Sequence, residues 1–438
     1  MNLFFKKLTG KLQSTAKMEQ YIAAMEADIA RYRAVEKSAE LAEYRQLQTT
    51  VESQEFRQKK QNLAGTKYKS TKYYQTVQEL HRLEKDKMLQ TYLQVKDSAQ
   101  LKEYLEFRAS DMYVKLSDKK LVRQSPDLKA MLAFEKSKAF KAYMAYKSSP
   151  VPGQYEDLRR QVSDAEFQKE NAFWANPKRW FATTEHVQEE RFKQLSALPD
   201  IQFFFAQDVK KIEQMETFVL SFGEEFRWLK LSESPWKPGF CYKNKKLLSQ
   251  HSFANEQQAN NAGKNAGTIN GIFTILTKKE MVTAPAWDVK KGFVNKEFAY
   301  TSDILQTADS FRQERGLFMI KLRCSGKIHH AAWLGAEGKL PFVTLFHYNG
   351  KNIVVGNMTA DGFKGENISG ISPSQYYIYS LMWTRTELIW YVNNLEVLRM
   401  NRNVPAEALY LALSSFISQD QRAEEGKLEV DWIRVYKN

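Results

Sequence analysis

Three histidines in the second half of the chain, His329, His330 and His347, have a type and spacing that could do chemistry. An imidazole titrates near neutral pH, so it can donate a proton or bind a metal ion. Their spacing matches no known metal site, and histidines beside a β-cleft are more often hydrogen-bonded or solvated. The chain has no Gly-rich phosphate loop, Cys-x-x-Cys or Ser-His-Asp arrangement. We therefore predict neither a metal site nor a cofactor.

The elements that must position these histidines are predicted to be β-strands. Residues 316–323 alternate in hydrophobicity and are rich in β-formers, and residues 331–335 form a short apolar piece. Residues 342–348 form another strand, in which Phe342, Thr344 and Phe346 share one face while Val343, Leu345 and His347 share the other in a regular strand.

Glycine usage divides the chain into two parts. Three glycines, Gly10, Gly65 and Gly153, fall in the first 200 residues, and the other sixteen lie beyond them. Turn-poor sequence rich in Ala, Lys, Glu, Gln and Leu is typical of helices. We predict an N-terminal all-α array of short helices followed by a C-terminal antiparallel β-sandwich. The predicted domains are a helical array at 1–149, a helical linker or second part of that array at 150–215, and the sandwich at 216–438.

Serine opens many of the predicted helices. Ser38, Ser98 and Ser125 each precede a related pattern of Leu and an aromatic or Met three residues apart. A Ser oxygen at the N-cap accepts a free N–H of the first turn, and residues at i and i+3 lie on one helix face. Because the spacing is irregular, we predict a degenerate helical repeat. A coiled coil is the alternative for residues 15–60.

The charge of the chain, formally +14, favours an acidic partner only weakly. Lysines and aromatic residues alternate in the helical part, as between Phe134 and Tyr143, and this mixture can bind single-stranded nucleic acid. It is more typical of helices that pack aromatic residues on one side and expose Lys on the other. We predict that a nucleic-acid partner is unlikely and that the helices could bind a protein.

Several segments of the β half have an order and spacing that can be compared with known families: 218–226, 300–307, 320–322, 331–335, 377–394, 405–415 and 428–436. The most specific is the strand pair around Trp383 and Trp390 with its Asn393-Asn394 turn. On these segments, residues 216–438 resemble the family 16 glycoside hydrolases, the laminarinase, lichenase and agarase group with a concanavalin A-like jelly roll.

The resemblance implies a catalytic strand of the form Glu-x-Asp-x-Glu, or Glu-x-Asp-x-x-Glu with a bulge. Phe342 stands at the nucleophile position, Thr344 at the Asp position, and His347, or Phe346 without the bulge, at the acid/base position. Retaining hydrolysis needs two carboxyls about 5–5.5 Å apart. The Glu-x-Asp at residues 429–431 lies in the terminal strand. We therefore predict no catalytic residues.

The resemblance also implies a concave face that could hold a sugar. Flat aromatic rings bind the C–H faces of sugars. His329 stands where the family has the first Trp of a Trp-Pro-x-x-Trp segment, and this replacement weakens sugar binding at one position of the face. The predicted carbohydrate-binding candidates are Trp333, His329, Tyr348, Asn255, Asn261 and Trp383. For Trp383 and Trp390 a core position is the alternative.

Three functions remain open on the sequence. The first is a non-catalytic protein that binds a polysaccharide, another glycan or a protein, and the second is a glycoside hydrolase that acts on a β-glucan or galactan with atypical residues. The third is a polyanion binder. Cys241 and Cys324 make a disulfide framework implausible, and no signal peptide or membrane span is evident, so a cytoplasmic protein is expected.

Overall fold

The structure is a computed structural model of the chain, and it describes residues 1–242, 251–337 and 339–438. It contains two compact units: a helical unit, Val35–Phe205, and a sandwich unit, Met1–Ala34 with Ala206–Asn438. The domain boundaries predicted from the sequence, 149/150 and 215/216, differ from these divisions. Residues 1–34 belong with the sandwich because Leu3 and Leu12, which are 0% and 4% exposed, lie in its hydrophobic core.

The helices are short, as the sequence predicts. They are α1 (Phe4–Leu8), α2 (Thr15–Glu36), α3 (Ala39–Val51), α4 (Gln54–Gly65), α5 (Lys72–Glu84), α6 (Lys87–Val95), α7 (Ala99–Ala109), α8 (Lys119–Gln124), α9 (Pro126–Lys136), α10 (Lys138–Tyr146), α11 (Val151–Ser163), α12 (Ala165–Ala175), α13 (Thr184–Ser196), α14 (Pro199–Ala206) and α15 (Val209–Glu216). Breaks at Ser38 and Ser53 separate α2, α3 and α4, so one continuous coiled-coil helix over residues 15–60 does not form.

Side-chain caps start these helices. The Oγ atoms of Ser38, Ser98 and Ser125 accept the backbone N–H of the residue three positions later, at 3.1, 3.3 and 3.3 Å. Each of these caps was predicted. Other cap residues open further helices: Thr71 caps α5, and Asp164 caps α12.

Small separate hydrophobic clusters hold the helical unit. One joins Leu80, Leu83 and Leu89 to Tyr155. Another contains four buried residues from the helices α7, α9 and α10, namely Leu101, Tyr104, Phe134 and Phe140. The aromatic residues of the Lys-aromatic segment are therefore packed inside the unit. This pattern of local clusters is typical of helical arrays in which each repeat contacts its neighbours.

The sandwich consists of two sheets. Its strands are β1 (Val219–Glu224), β2 (Lys237–Pro238), β3 (Ser252–Phe253), β4 (Gln258–Asn260), β5 (Ala266–Ile269), β6 (Ile272–Asp288), β7 (Gly292–Ser302), β8 (Ile304–Gln306), β9 (Gly316–Ser325), β10 (His329–Ala336), β11 (Lys339–Asn349), β12 (Ile353–Thr359), β13 (Gly362–Ile368), β14 (Tyr377–Trp383), β15 (Leu388–Val392), β16 (Leu395–Met400), β17 (Tyr410–Phe416) and β18 (Gly426–Lys437).

One sheet has the order β16-β15-β14-β9-β18-β6-β7-β4, with β1 added on β18 and both β3 and β5 on β6. The other has the order β13-β12-β11-β10-β17-β8-β2. Pairing is antiparallel except between β3 and β6 and between β4 and β7. The predicted jelly-roll sandwich is confirmed.

The core lies between the sheets. Inward side chains of β9, β14 and β15 meet those of β10, β11 and β17 in one large cluster, which includes Trp383 and Trp390. The indole Nε1–H of Trp390 donates to the backbone oxygen of Thr344 in the opposite sheet, at 2.8 Å. Cys241 and Cys324 are both free and buried.

The first turns of α2 cover the outer face of the larger sheet. Met18 and Ile22 pack against Met319, Ile378 and Trp432. A small polar network adjoins this contact, because the Lys321 ammonium lies 2.6 Å from Glu19 and 2.7 Å from Asp431. Burial of this apolar helix face ties residues 15–34 to the sandwich.

Candidate functional site

A β-bulge in β11 decides which of its side chains leave the core. The register of β11 against β12 shifts between Thr344 and His347. Leu345 and Phe346 are therefore both buried in the core, at 1% and 0% exposure. Phe342, Thr344 and His347 lie together on the opposite, outer face. The regular alternation expected for this strand is therefore wrong at both Phe346 and His347, whereas the bulged register that aligns His347 with Phe342 and Thr344 agrees with the structure.

This outer face forms the floor of a cleft of about 440 Å³. Aromatic and aliphatic side chains dominate the described part of its lining, with four hydroxyls, a thiol and one imidazole among them: Phe240, Cys241, Tyr242, Phe253, Ala331, Trp333, Phe342, Thr344, His347, Met358, Phe363, Tyr410, Ser414 and Phe416. Within residues 1–242, 251–337 and 339–438, no carboxylate is part of this lining. A carboxyl pair of the kind that glycosidases use is absent from that part of the cleft.

Two of the three histidines meet in this face. His329 of β10 and His347 of β11 are hydrogen-bonded between Nδ1 and Nε2 at 2.8 Å, and the His329 ring stacks on Phe416 with centroids 4.3 Å apart. Burial lowers the pKa of His329 to about 4, and burial together with the neighbouring His329 lowers the pKa of His347 to about 4. Both rings are neutral at pH 7, which makes His347 a poor carrier of an acidic proton there.

The third histidine points into the protein. His330 is fully buried, with Nδ1 2.8 Å from Ser415 Oγ and Nε2 3.0 Å from the backbone oxygen of Ser325. A carbonyl oxygen only accepts, so Nε2 carries the proton and Nδ1 accepts from the Ser415 hydroxyl. The three histidines do not converge, and the described residues contain no group of three His, Cys, Asp or Glu side chains that could hold a metal ion.

The other predicted sugar-binding residues separate into two groups. Trp333 is half-buried in the cleft, edge-on to Phe342 at 5.1 Å and tilted against Tyr410 at 5.9 Å. The placement of Trp383 and Tyr348 on this face needs correction. Trp383 is 1% exposed, and Tyr348 is 9% exposed with its hydroxyl donating to the Gly350 oxygen, so both belong to the core.

The two predicted asparagines lie in turns beside the face. Asn255 is exposed in the turn after β3 and is not part of the described cleft lining. The Asn261 side chain donates to Asn265 Oδ1 at 2.8 Å, while its backbone N–H donates to Asp303 at 3.0 Å. Asn261 therefore organises the turn after β4, a structural task that a short amide side chain performs well.

Sequence reasoning missed Glu256. This half-buried residue lines a second pocket of about 160 Å³ that shares Phe240, Phe253, Trp333, Ser414 and Phe416 with the cleft. Its Oε2 accepts from Gln258 Nε2 at 2.6 Å. Burial raises the pKa of Glu256 to about 7. The available signal was its position inside the polar segment 251–261, between the predicted sugar-binding residues Asn255 and Asn261.

The Glu-x-Asp pair near the C-terminus, Glu429 and Asp431, is not part of the described cleft lining. Arg323 binds Glu429 at 2.8 Å, and Lys321 binds Asp431 at 2.7 Å. Lys321 belongs to the network with Glu19 of α2, on the outer face of the larger sheet. These ion pairs join β9 to β18, so Asp431 has a structural role.

Comparison with known proteins gives a similarity over part of the chain. No family model matches. A curated relative, the endo-1,3-1,4-beta-glycanase ExsH of Rhizobium meliloti (strain 1021), is 24% identical over 248 residues, which are 49% of this chain and 51% of that protein. The chain thus spans about half the length of this curated relative.

Two solved structures also match half of the chain. One is the catalytic domain of an endo-1,3-beta-glucanase (laminarinase) from Thermotoga petrophila RKU-1, with 17% identity, 98% of that chain covered and a TM-score of 0.41. The other is SCLam, a non-specific endo-beta-1,3(4)-glucanase from family GH16, with 21% identity, 91% of that chain covered and a TM-score of 0.41.

None of the helices in the described ranges is both long and apolar enough to span a membrane. The N-terminal half is left unmatched by the relatives above. The predicted resemblance is confirmed for the C-terminal half of the chain, which is similar to the family 16 glycoside hydrolases.

Proposed function

We propose that this chain is a non-catalytic glycan-binding protein, and that a β-linked polysaccharide lies in the cleft over β10, β11 and β17. The observation that carries the proposal is the floor of the cleft. Phe342, Thr344 and His347 face the space where a sugar would bind, and the described lining is aromatic with scattered hydroxyls and no carboxylate. Aromatic faces and hydroxyls bind sugars without cleaving them.

The names of the relatives suggest the kind of glycan. The curated relative is named as an endo-1,3-1,4-beta-glycanase. A protein that keeps a related cleft and lacks the acids would bind such a chain and leave its linkages intact. Because the cleft is open at the surface of the smaller sheet, we propose a polymer or long oligosaccharide as the ligand.

The test is retardation in native gels that contain laminarin, lichenan or agarose, in parallel with a reducing-end assay on the same polymers. We expect retardation by at least one polymer and no release of reducing ends. Trp333→Ala should weaken the retardation, because the ring lines the cleft. Phe5→Ala is the matched control, since Phe5 is 68% exposed and is not part of the cleft lining. Equal binding by both variants, or no binding to any polymer, would contradict the proposal.

Hydrolysis of a β-linked polymer is the second candidate, and Glu256 favours it. A carboxyl with a pKa near 7 can donate a proton at neutral pH. Hydrolysis by the usual routes needs a second carboxyl, which the described lining does not supply. If wild-type protein released reducing ends and Glu256→Gln did not, the chain would be an enzyme with a displaced acid.

A further inference from the structure

Three aromatic side chains form a row across neighbouring strands beside the cleft. Phe253 of β3 is directly opposite Trp287 of β6, and Trp287 is directly opposite Phe293 of β7. Directly opposite residues project from the same side of a sheet. The Trp287 and Phe293 rings are 5.0 Å apart, and His251 bridges the row with centroids 5.0 Å from Phe253 and 5.7 Å from Phe293.

One end of this aromatic row is in the cleft and the other is on the surface. Phe253 lines both the cleft and the pocket of Glu256. Trp287 and Phe293 are 38% and 41% exposed. Since neighbouring strands are about 4.8 Å apart, the row extends the aromatic surface by about 10 Å beyond the cleft wall.

The fold uses the other face of this hairpin for packing. Ala286 and Phe298 are 0% and 1% exposed and pack with Ala259 of the β4 segment. The hairpin is therefore anchored through one face, and the aromatic row lies on the opposite face, where Trp287 and Phe293 stay partly exposed among the described residues. A contiguous exposed apolar patch of this kind is typical of a binding surface.

The hairpin also holds the row in place. The Asp288 carboxylate accepts the backbone N–H groups of Lys290 and Lys291 at 2.8 and 2.9 Å, which closes the turn between β6 and β7. Asn295 follows Phe293 by two residues and so shares its face, where it is exposed. The open face thus combines rigid rings with an amide that can donate and accept hydrogen bonds.

We propose that Trp287 and Phe293 form a distal subsite on which further sugar rings of a cleft-bound β-linked polysaccharide stack. This inference rests on the proposed function of the cleft. The continuity of the row with Phe253 favours a single extended ligand, and the mixture of aromatic faces with an amide fits a sugar, whose C–H face stacks while its hydroxyls form hydrogen bonds.

The experiment is calorimetric titration of the full chain with laminarin, lichenan and agarose oligosaccharides of increasing length. Wild type should bind long chains more tightly than short ones. Trp287→Ala should weaken long-chain binding about tenfold, equivalent to about 1.4 kcal/mol, and leave short-chain binding unchanged. Trp287→Phe should retain most of the affinity. Met281→Ala, an exposed apolar change on the same strand and outside the row, is the matched control.

The outcomes distinguish this inference from the proposed function. The distal subsite is refuted, and the cleft proposal stands, if the affinity of wild type for oligosaccharides does not increase with their length. The same conclusion follows if Trp287→Ala binds long chains as tightly as wild type. If no chain of any length binds, both proposals fail. Because Trp287 is partly exposed, the thermal unfolding curve of Trp287→Ala should match that of wild type, which checks the fold.

Discussion

Leu3→Ala is expected to destabilise the sandwich even though Leu3 lies at the start of the chain and over 200 residues before the first strand. The Leu3 side chain is fully buried in the core cluster between the sheets. Its backbone N–H donates to the Ser369 oxygen at 2.7 Å, which fixes the segment against the end of β13. The substitution removes buried methyl groups and leaves a cavity in a close-packed core.

The expected loss in free energy of unfolding is about 3 kcal/mol, within the usual range for Leu→Ala in a core. For a domain of this size each kcal/mol lowers Tm by about 2–4 °C, so the expected shift is about 6–12 °C. Leu8→Ala is the control in the same segment. Leu8 is 68% exposed, and its change should stay within about 0.5 kcal/mol.

Urea denaturation followed by tryptophan fluorescence measures both variants, because Trp236, Trp383 and Trp390 are buried in the sandwich. Calorimetry on the same samples shows which thermal transition moves. If Leu3→Ala and Leu8→Ala had equal and small effects, residues 1–14 would not be part of the sandwich core. The assignment of the N-terminal segment to this unit would then be wrong.

Two further predictions concern the core and the histidines. Trp390→Phe should cost about 1 kcal/mol more than Trp383→Phe, because it removes the hydrogen bond from Nε1 to the Thr344 oxygen, whereas Trp383 Nε1 has no partner among the described residues; equal losses in urea denaturation would contradict this difference. The free energy of unfolding should fall as pH falls from about 6.5 towards 4, because unfolded histidines take up protons there that His329, His330 and His347, with pKa values lowered to about 4, 3 and 4, do not. Glu256, with its pKa raised to about 7, and Asp303, whose pKa is raised by burial, oppose this trend. His347→Gln should show a shallower pH slope than wild type in the same assay.

Much of the fold follows from local features of the sequence. The serine caps at Ser38, Ser98 and Ser125 act within one helical turn, so a sequence pattern is sufficient to identify them. Scarce glycine in the first 200 residues and alternation in the strands similarly reflect local backbone preferences. The helical half and the β-strands could be predicted for this reason, whereas the jelly-roll arrangement of the strands was inferred from the family resemblance.

Other features depend on contacts between distant parts of the chain. The burial of Trp383 depends on which face of β14 meets the opposite sheet, and the same residue type is half-buried in the cleft at Trp333. Glu256 lines a pocket together with Phe416, which is 160 residues away in the sequence. Hydrophobicity alone cannot distinguish these environments, because aromatic residues occur in both cores and binding surfaces.

The sequence by itself determined the order of helices and strands and the residue types along β11, because these depend on residue type and on neighbours a few positions away. Only the tertiary structure decided that Leu3 belongs to the sandwich core, that a bulge turns His347 into the cleft, and that Phe253, Trp287 and Phe293 align in one row. Strand register and core packing are set by the simultaneous burial of many distant side chains. That balance is not contained in any single segment of the sequence.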